Sequence, residues 1–405
     1  MIRVWSDGSA AGALDRLSRT STTFAYDPQA NQNRAVSLSM PKRVQSYDWH
    51  SGLLPIFEMN IPEGALRERL VRSFAKAIGT FDDFDLLSLV GRSQLGRIRY
   101  SAMSADLDDE IPFQSVDEIL RARRGGNLFD VLLEQFAPYS GLSGVQPKVL
   151  IRDEVKFSRD KARRSSSIRA ATHIVKFWDP REYPELAANE YFCLRAARLA
   201  GLEVPTNILS DDGDALIIER FDISDDGYLG FEDFCVLNGV STTQKYAGSY
   251  ESKLFKRAID FVAPTDQPKA LRALFELLVL NCALRNGDAH LKNFALLYDD
   301  VFGPTRVAPV FDLVTTTACL PKDTMALTLD GSTRWPDAKR LMQFGQLRAG
   351  LSPTCINRIF EKTADAMRDA SKEAATYFVQ STAPEIGVRM NAAWETGIAE
   401  TLGTT

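Results

Sequence analysis

The stretch NCALRNGDAHLKNFALLY, residues 281–298, sets Asp288, His290, Lys292 and Asn293 between two apolar runs. The run before it, PKALRALFELLVL from Pro268, is apolar nearly all round, which predicts a central helix buried on most sides. The run after it reads as a buried strand. Polar side chains caught between two core elements are held in place by both, and His290 is one of only three histidines in the chain. By spacing alone, Asp288 and Asn293 also suit a loop that caps a helix and satisfies its own backbone.

The same two residues stand five apart, the spacing between base and metal-binding amide in the protein-kinase loop HRDxxxxN. RNGD replaces HRD, and the histidine follows the aspartate. Phosphoryl transfer from ATP needs a carboxylate base, metal ligands, a cation on the phosphates and backbone donors over them. Asp312 ends the apolar run VAPVFD, as a second metal carboxylate would, though no Phe-Gly follows it. Lys176 interrupts the strand-like HIVKF. A buried ammonium there demands a partner, and Glu190 on the next helix is a candidate. SGLSGVQPK places Gly141 and Gly144 between Ser140, Ser143 and Lys148, and such glycines let backbone N–H groups approach phosphate. No GK[ST] follows, so this is not a Walker A loop.

Around these motifs lie 405 residues, enough for two or three folded units, with 45% apolar and 25% charged residues as in a soluble globular protein. The net charge of −5 gives no general basic footprint for nucleic acid. Five scattered cysteines form no CxxC pair and read as reduced, buried thiols. No signal peptide and no uninterrupted apolar window of membrane-spanning length is seen, so a cytoplasmic location without membrane attachment is expected. The opening IRVW, a turn at SDGSAAG and TTFAYD predict a strand pair. PEGALRERLVRSFAKAIG places Leu66, Leu70, Phe74 and Ile78 on one helical face, with Gly79 at its end. YPELAANEYFCLRAARLAGLEVP repeats Ala187, Tyr191, Leu194 and Ala197 at helical spacing. Near the end, Ser352 and Pro353 are the N-cap and first residue of a further helix. The basic segment from Arg159 to Arg169 reads as a solvated loop. Strands early and helices late predict an α+β architecture. The expected parts are a mixed N-terminal subdomain over 1–104, a sheet-rich lobe over 105–222 and a mainly helical lobe over 223–405.

The ordered set of motifs resembles the HipA family of bacterial serine/threonine kinase toxins through most of the chain. SLSMPKR, LLPIFEMNIPEGALRERL and FDLLSLVGRSQLG look like the family's N-terminal region. SGVQPKVLI, THIVKFW, NEYFCLRAARLAGLEVP and ERFD look like its ATP-binding lobe, and EDFCVLNGV, NGDAHLKNFALLY and APVFDLVTT like its helical lobe. The resemblance implies a protein-kinase-like two-lobed fold that uses ATP and magnesium to phosphorylate serine or threonine. It makes Asp288 the base, Asn293 and Asp312 the magnesium ligands, and Lys176 the phosphate-binding lysine. Glu219, Arg220 and Phe221 become the hinge beside adenine, Gly141 and Gly144 part of the phosphate loop, and His290 a neighbour of the nucleotide.

It further implies a toxin of a toxin–antitoxin pair, partnered by a small HipB-like helix-turn-helix antitoxin that alone contacts operator DNA. The implied substrate is an aminoacyl-tRNA synthetase of the glutamyl type, whose phosphorylation inhibits translation and favours dormancy and persistence. Many family members autophosphorylate a loop serine at the place that Gly141 takes here. Ser143, which matches the second serine of a Ser-x-Ser branch, and Ser140 are the candidate autophosphorylation sites. Pro147 also replaces the usual acidic residue before Lys148. Two other readings stay open: a small-molecule kinase of the same fold, and an inactive kinase-like scaffold binding a DNA-bound repressor.

Overall fold

The architecture described here is that of a computed structural model. The structure describes residues 1–405 except 79–81, 106, 108–110, 122–127, 145, 154–170, 179–182, 226 and 405. The basic segment Arg159–Arg169 and the helix-ending Gly79 lie outside the described residues. The chain forms two compact units, one of Met1–Phe177, Thr206–Thr242 and Leu297–Gly303, the other of Trp178–Pro205, Thr243–Leu296 and Pro304–Thr405. Among the described residues no helix is long and apolar enough to cross a membrane.

The two largest sheets lie in the first unit, and both are antiparallel. One has the order β4-β3-β2-β1-β5, with β1 Ile2–Ser6, β2 Ser9–Ser18, β3 Ser21–Tyr26, β4 Tyr47–Trp49 and β5 Ile98–Ala102. The opening turn is tighter than SDGSAAG suggests. Only Asp7 and Gly8 turn the chain, both with positive φ (50° and 74°), as a two-residue hairpin demands. The small residues from Ser9 onward are strand, because Gly12 must pass so close to β3 that an added Cβ would lie 2.2 Å from the Ala25 carbonyl. Beneath the sheet, Phe24, Phe57 and Tyr100 are fully buried edge to face, with centroids 5.2 and 5.8 Å apart. Leu66 and Leu70 of the helix Gly64–Ile78 are buried, as its spacing predicts.

The second sheet, order β6-β7-β9-β8, joins β6 Lys148–Ile151, β7 His173–Phe177, β8 Asn207–Leu209 and β9 Ala215–Glu219. These are the runs KVLI, HIVKF and ALIIE, buried almost throughout. Lys176 sits directly opposite Lys148 in the β6–β7 ladder, so the two buried lysines leave the sheet from one face.

The second unit is mainly helical. Leu186–Leu199 buries Ala187, Leu194 and Ala197 and is followed by Gly201 at φ 82°. The central helix Gln267–Ala283 buries Leu274, Phe275 and every residue from Leu277 to its end. The long helix Pro353–Phe378 starts as expected, with Ser352 accepting the Cys355 N–H. The helix Pro384–Thr396 buries Ile386, Met390 and Trp394. None of the five cysteines is in a disulfide; Cys193, Cys235 and Cys282 are buried and Cys319 and Cys355 partly exposed.

Candidate active site

The loop at Asp288 begins where the central helix cannot continue. Arg285 takes φ 58°, a left-handed conformation that costs a non-glycine residue on the order of 1–3 kcal/mol. Its guanidinium holds it there, donating to Thr401 Oγ1 at 3.1 Å and Glu400 Oε2 at 2.8 Å. The next turn is an asparagine relay. Asn281 donates Nδ2 to the Leu277 carbonyl (2.9 Å), Asn286 donates Nδ2 to Asn281 Oδ1 (2.7 Å), and Asn286 Oδ1 accepts the Asp288 N–H (3.1 Å). Each such bond contributes about 1 kcal/mol net. Together they set the direction in which Asp288 leaves the backbone.

Gly287 has no room for a side chain: an added Cβ would lie 2.0 Å from Asp323 Oδ2 and 2.6 Å from the Thr324 carbonyl. Its N–H donates to Thr316 Oγ1 at 2.8 Å, which ties the loop to the chain just past Asp312. Tyr250 donates its hydroxyl to the Ala289 carbonyl (3.0 Å), and Leu291 N–H donates to the Lys245 carbonyl (3.1 Å). A loop anchored this densely presents its side chains at fixed positions.

The Asp288 side chain keeps 49% of its area exposed, and its Oδ1 accepts the Tyr246 hydroxyl at 2.6 Å. Its partial burial raises its pKa above the ordinary aspartate value; Asp312 and Asp323 act in the same direction, against the Tyr246 hydrogen bond and Lys245. His290 Nε2 is 3.8 Å from the same oxygen, and its ring meets Tyr246 edge to face at 4.9 Å. Burial and the charges of Lys245 and Lys292, opposed by Asp312, lower the His290 pKa to about 3, so the imidazole is neutral.

Asn293 bridges the loop to Asp312. Its Oδ1 accepts the His290 N–H at 3.2 Å and its Nδ2 donates to the Asp312 carbonyl at 3.4 Å. Asp312 itself sits at φ 50°. Three residues on, Thr315 and Asn189 exchange bonds: Thr315 N–H donates to Asn189 Oδ1 (2.8 Å) and Asn189 Nδ2 donates to the Thr315 carbonyl (3.1 Å). Trp394 Nε1 donates to Thr315 Oγ1 at 2.7 Å. Helix Leu186–Leu199 and helix Pro384–Thr396 thereby clamp the segment that carries Asp312.

The structure thus brings Asp288, His290, Asn293 and Asp312 together within the second unit. Carboxylate and carboxamide oxygens are the donors a hard divalent cation takes. Among the described residues no group of three or more His, Cys, Asp or Glu is placed to hold a metal. A carboxylate and a carboxamide suit a hard divalent cation that takes its remaining ligands from phosphate and water.

Lys176, Glu219, Arg220, Phe221, Gly141, Gly144, Ser140 and Ser143 lie in the first unit, whereas Glu190 lies in the second and is fully buried. The Arg220 side chain is turned inward: it is buried against Asp222 at 2.6 and 2.9 Å and donates to the carbonyls of Ala171 and Gln94. Its guanidinium is structural, which leaves only its backbone for the expected hinge. Gly141 donates its N–H to the Ser93 carbonyl at 2.8 Å, and an added Cβ would lie 2.7 Å from Gln94 Cβ. A serine does not fit there without movement of the N-terminal subdomain. Ser140 is fully buried, donating to the Phe136 carbonyl and accepting the Leu150 N–H, both at 2.8 Å. Of the two loop serines, only Ser143 is partly exposed; its hydroxyl donates to Glu63 Oε1 at 2.5 Å, which also accepts the Gly144 N–H at 3.2 Å.

Several residues at the site escaped the motifs. Asn281 and Asn286 stood in the stretch itself, and two asparagines bracketing a helix end are a legible signal of backbone capping. Tyr246, Thr315 and Asn189 carry no local signal, because each acts across a long separation in sequence.

The arrangement is that of a kinase-like α+β fold, with Asp288, Asn293 and Asp312 on the helical unit. Residues 2–101 match the HipA N-terminal domain and residues 140–371 the HipA-like C-terminal domain. The chain belongs to the HipA family. Two curated relatives from Sinorhizobium fredii are named putative kinases: Y4mE is 28% identical over 94% of both chains, and Y4dM is 28% identical over 79% of this chain and 78% of its own. Among solved structures, the HipA, HipB and operator DNA complex of the toxin–antitoxin system of Shewanella oneidensis MR-1 matches with a TM-score of 0.72 at 18% identity. That match covers 100% of this chain and 98% of the other, and it shows the fold.

Proposed function

We propose that the chain is a cytoplasmic ATP- and magnesium-dependent serine/threonine protein kinase, the toxin of a HipA–HipB-type module. The observation that carries this reading is the linkage of Asp288, Asn293 and Asp312 through one hydrogen-bonded loop. In the proposed mechanism Asp288 orients the acceptor hydroxyl and takes its proton, with its backbone N–H held by the Asn286 relay. Asn293 and Asp312 would hold magnesium, which when bound neutralises charge on the transferring phosphoryl group. Lys176, with Lys148 on the same sheet face, supplies positive charge for the phosphates. The glycine-loop backbone at Gly144 and the hinge Glu219–Phe221 would contact the rest of the nucleotide. Neutral His290 packs beside the base and does not compete with it for the proton.

The fold's likeness to a HipA, HipB and operator DNA complex supports a HipB-like antitoxin as partner; contact with operator DNA only through that partner is part of the proposal. The protein substrate under this reading is an aminoacyl-tRNA synthetase. The test is incubation of the purified chain with magnesium, γ-labelled ATP and cell extract, followed by identification of the labelled species. Label on a synthetase is expected. Label on a metabolite would favour a small-molecule kinase, and no Asp288-dependent label anywhere would leave a binding scaffold.

A further inference from the structure

Tyr246 lies 42 residues before Asp288, yet its hydroxyl is the hydrogen-bond donor that meets Asp288 Oδ1, at 2.6 Å. A base that accepts a proton from an acceptor must stand about 2.6–3.2 Å from the hydroxyl it deprotonates. The phenol therefore stands where an acceptor hydroxyl would stand. Two further features fit an acceptor better than a structural strut. The Tyr246 side chain is 51% exposed, and its ring rests edge to face on the buried, neutral His290, which fixes the direction of the C–O bond. The neighbouring backbone is pinned as well, because the Lys245 carbonyl accepts the Leu291 N–H from the catalytic loop.

We infer that Tyr246 is an intramolecular phosphoryl acceptor, autophosphorylated in cis by the site it already touches. This rests on the kinase reading above. In the step, Tyr246 Oη forms a bond to the γ-phosphorus of ATP, the bond from that phosphorus to the β–γ bridging oxygen breaks, and ADP leaves with the electron pair. The phenolic proton passes to Asp288 Oδ1. Phosphorylation then removes the O–H donor from the base and adds close to two negative charges beside Asp288, Asp312 and Asp323, so the modified phenol must swing away. That movement opens the acceptor position. The same geometry explains how a chain whose substrates carry aliphatic hydroxyls modifies a phenol: the acceptor is delivered by its own backbone and needs no docking.

The test uses the full-length chain with magnesium and ATP, compared with Tyr246→Phe and Asp288→Asn, and maps phosphate by mass spectrometry. The expected result is one phosphate on Tyr246 in the wild type, at a rate per molecule independent of protein concentration, and none at that position in either variant. Phosphate on other residues or on extract proteins with Tyr246 unmodified overturns the inference and leaves the kinase reading standing. A Tyr246 signal whose rate per molecule scales with protein concentration overturns the cis assignment. Absence of phosphate on every acceptor sinks both.

A second readout needs neither nucleotide nor metal. In the free chain, Tyr246→Phe removes the hydrogen bond that opposes burial, so Asp288, which also faces Lys245, His290, Asp312 and Asp323, titrates at higher pH by carboxyl-carbon NMR. An unchanged titration refutes the contact itself.

Discussion

Gly287→Ala tests whether the loop geometry at Asp288 is as tightly determined as the contacts imply. The new Cβ would lie 2.0 Å from Asp323 Oδ2 and 2.6 Å from the Thr324 carbonyl oxygen. The Asp323 side chain can rotate away, at the expense of its hydrogen bond with the Thr316 hydroxyl, which also accepts the Gly287 N–H. The carbonyl cannot rotate, so the backbone at residue 287 must shift by roughly half an ångström or more, and overpacking of this kind costs about 1–3 kcal/mol. The lost hydrogen bond adds about 1 kcal/mol. The expected destabilisation is therefore about 2–4 kcal/mol, read as a lower urea midpoint with the slope unchanged. Because Asp288 is the next residue, the shift also misplaces the proposed base, and a displacement near 1 Å costs on the order of 100-fold in rate. Stability within about 0.5 kcal/mol of wild type together with an unchanged transfer rate would refute the reasoning, since surface substitutions normally fall in that range.

Three other outcomes follow from the same contacts. Asp222→Ala strands the buried Arg220 guanidinium and is expected to cost about 3–5 kcal/mol in urea unfolding, whereas an exposed pair such as Arg368–Asp365 should contribute less than about 1 kcal/mol. Burial raises the Asp288 pKa, so its ionised form is disfavoured in the folded chain and activity should be lost, as pH falls, at a higher pH than for an ordinary aspartate. The same sign means that Asp288→Asn does not destabilise the chain at neutral pH, which thermal unfolding at pH 7 will check. His290, with its pKa lowered to about 3, should show no imidazole titration between pH 5 and 8 by NMR; a midpoint in that interval would contradict its burial.

Much of the site was legible because it is local. Asp288 and Asn293 sit within one turn-and-loop segment, and the apolar runs on both sides announced the central helix and the strand Ala295–Tyr298. Residues that act across the fold were not legible. Tyr246 meets Asp288 beside a Lys245 carbonyl that accepts the Leu291 N–H, a pairing that no periodicity encodes. Glu190, expected on the helix as a candidate partner for a buried lysine, is fully buried. The first hairpin was misjudged for a related reason: Ser9–Gly12 has the small residues of a turn, but it is strand, and Gly12 is where β2 passes close to β3. Ser140 and Ser143 look equivalent in sequence, yet one closes the core beneath β6 and the other faces Glu63. The helix Leu186–Leu199, placed by its position in the chain with the sheet-rich lobe, is packed within the helical unit, where Asn189 grips Thr315.

The role proposed for Asp288 is that of the base in phosphoryl transfer from ATP. Its most direct test is the initial rate of γ-phosphate transfer by Asp288→Asn against wild type, measured at equal nucleotide occupancy established by direct ATP binding. The expected result is unchanged ATP affinity and a rate lower by about 100-fold or more, the range for loss of a general base. Equal rates in the two proteins would contradict it.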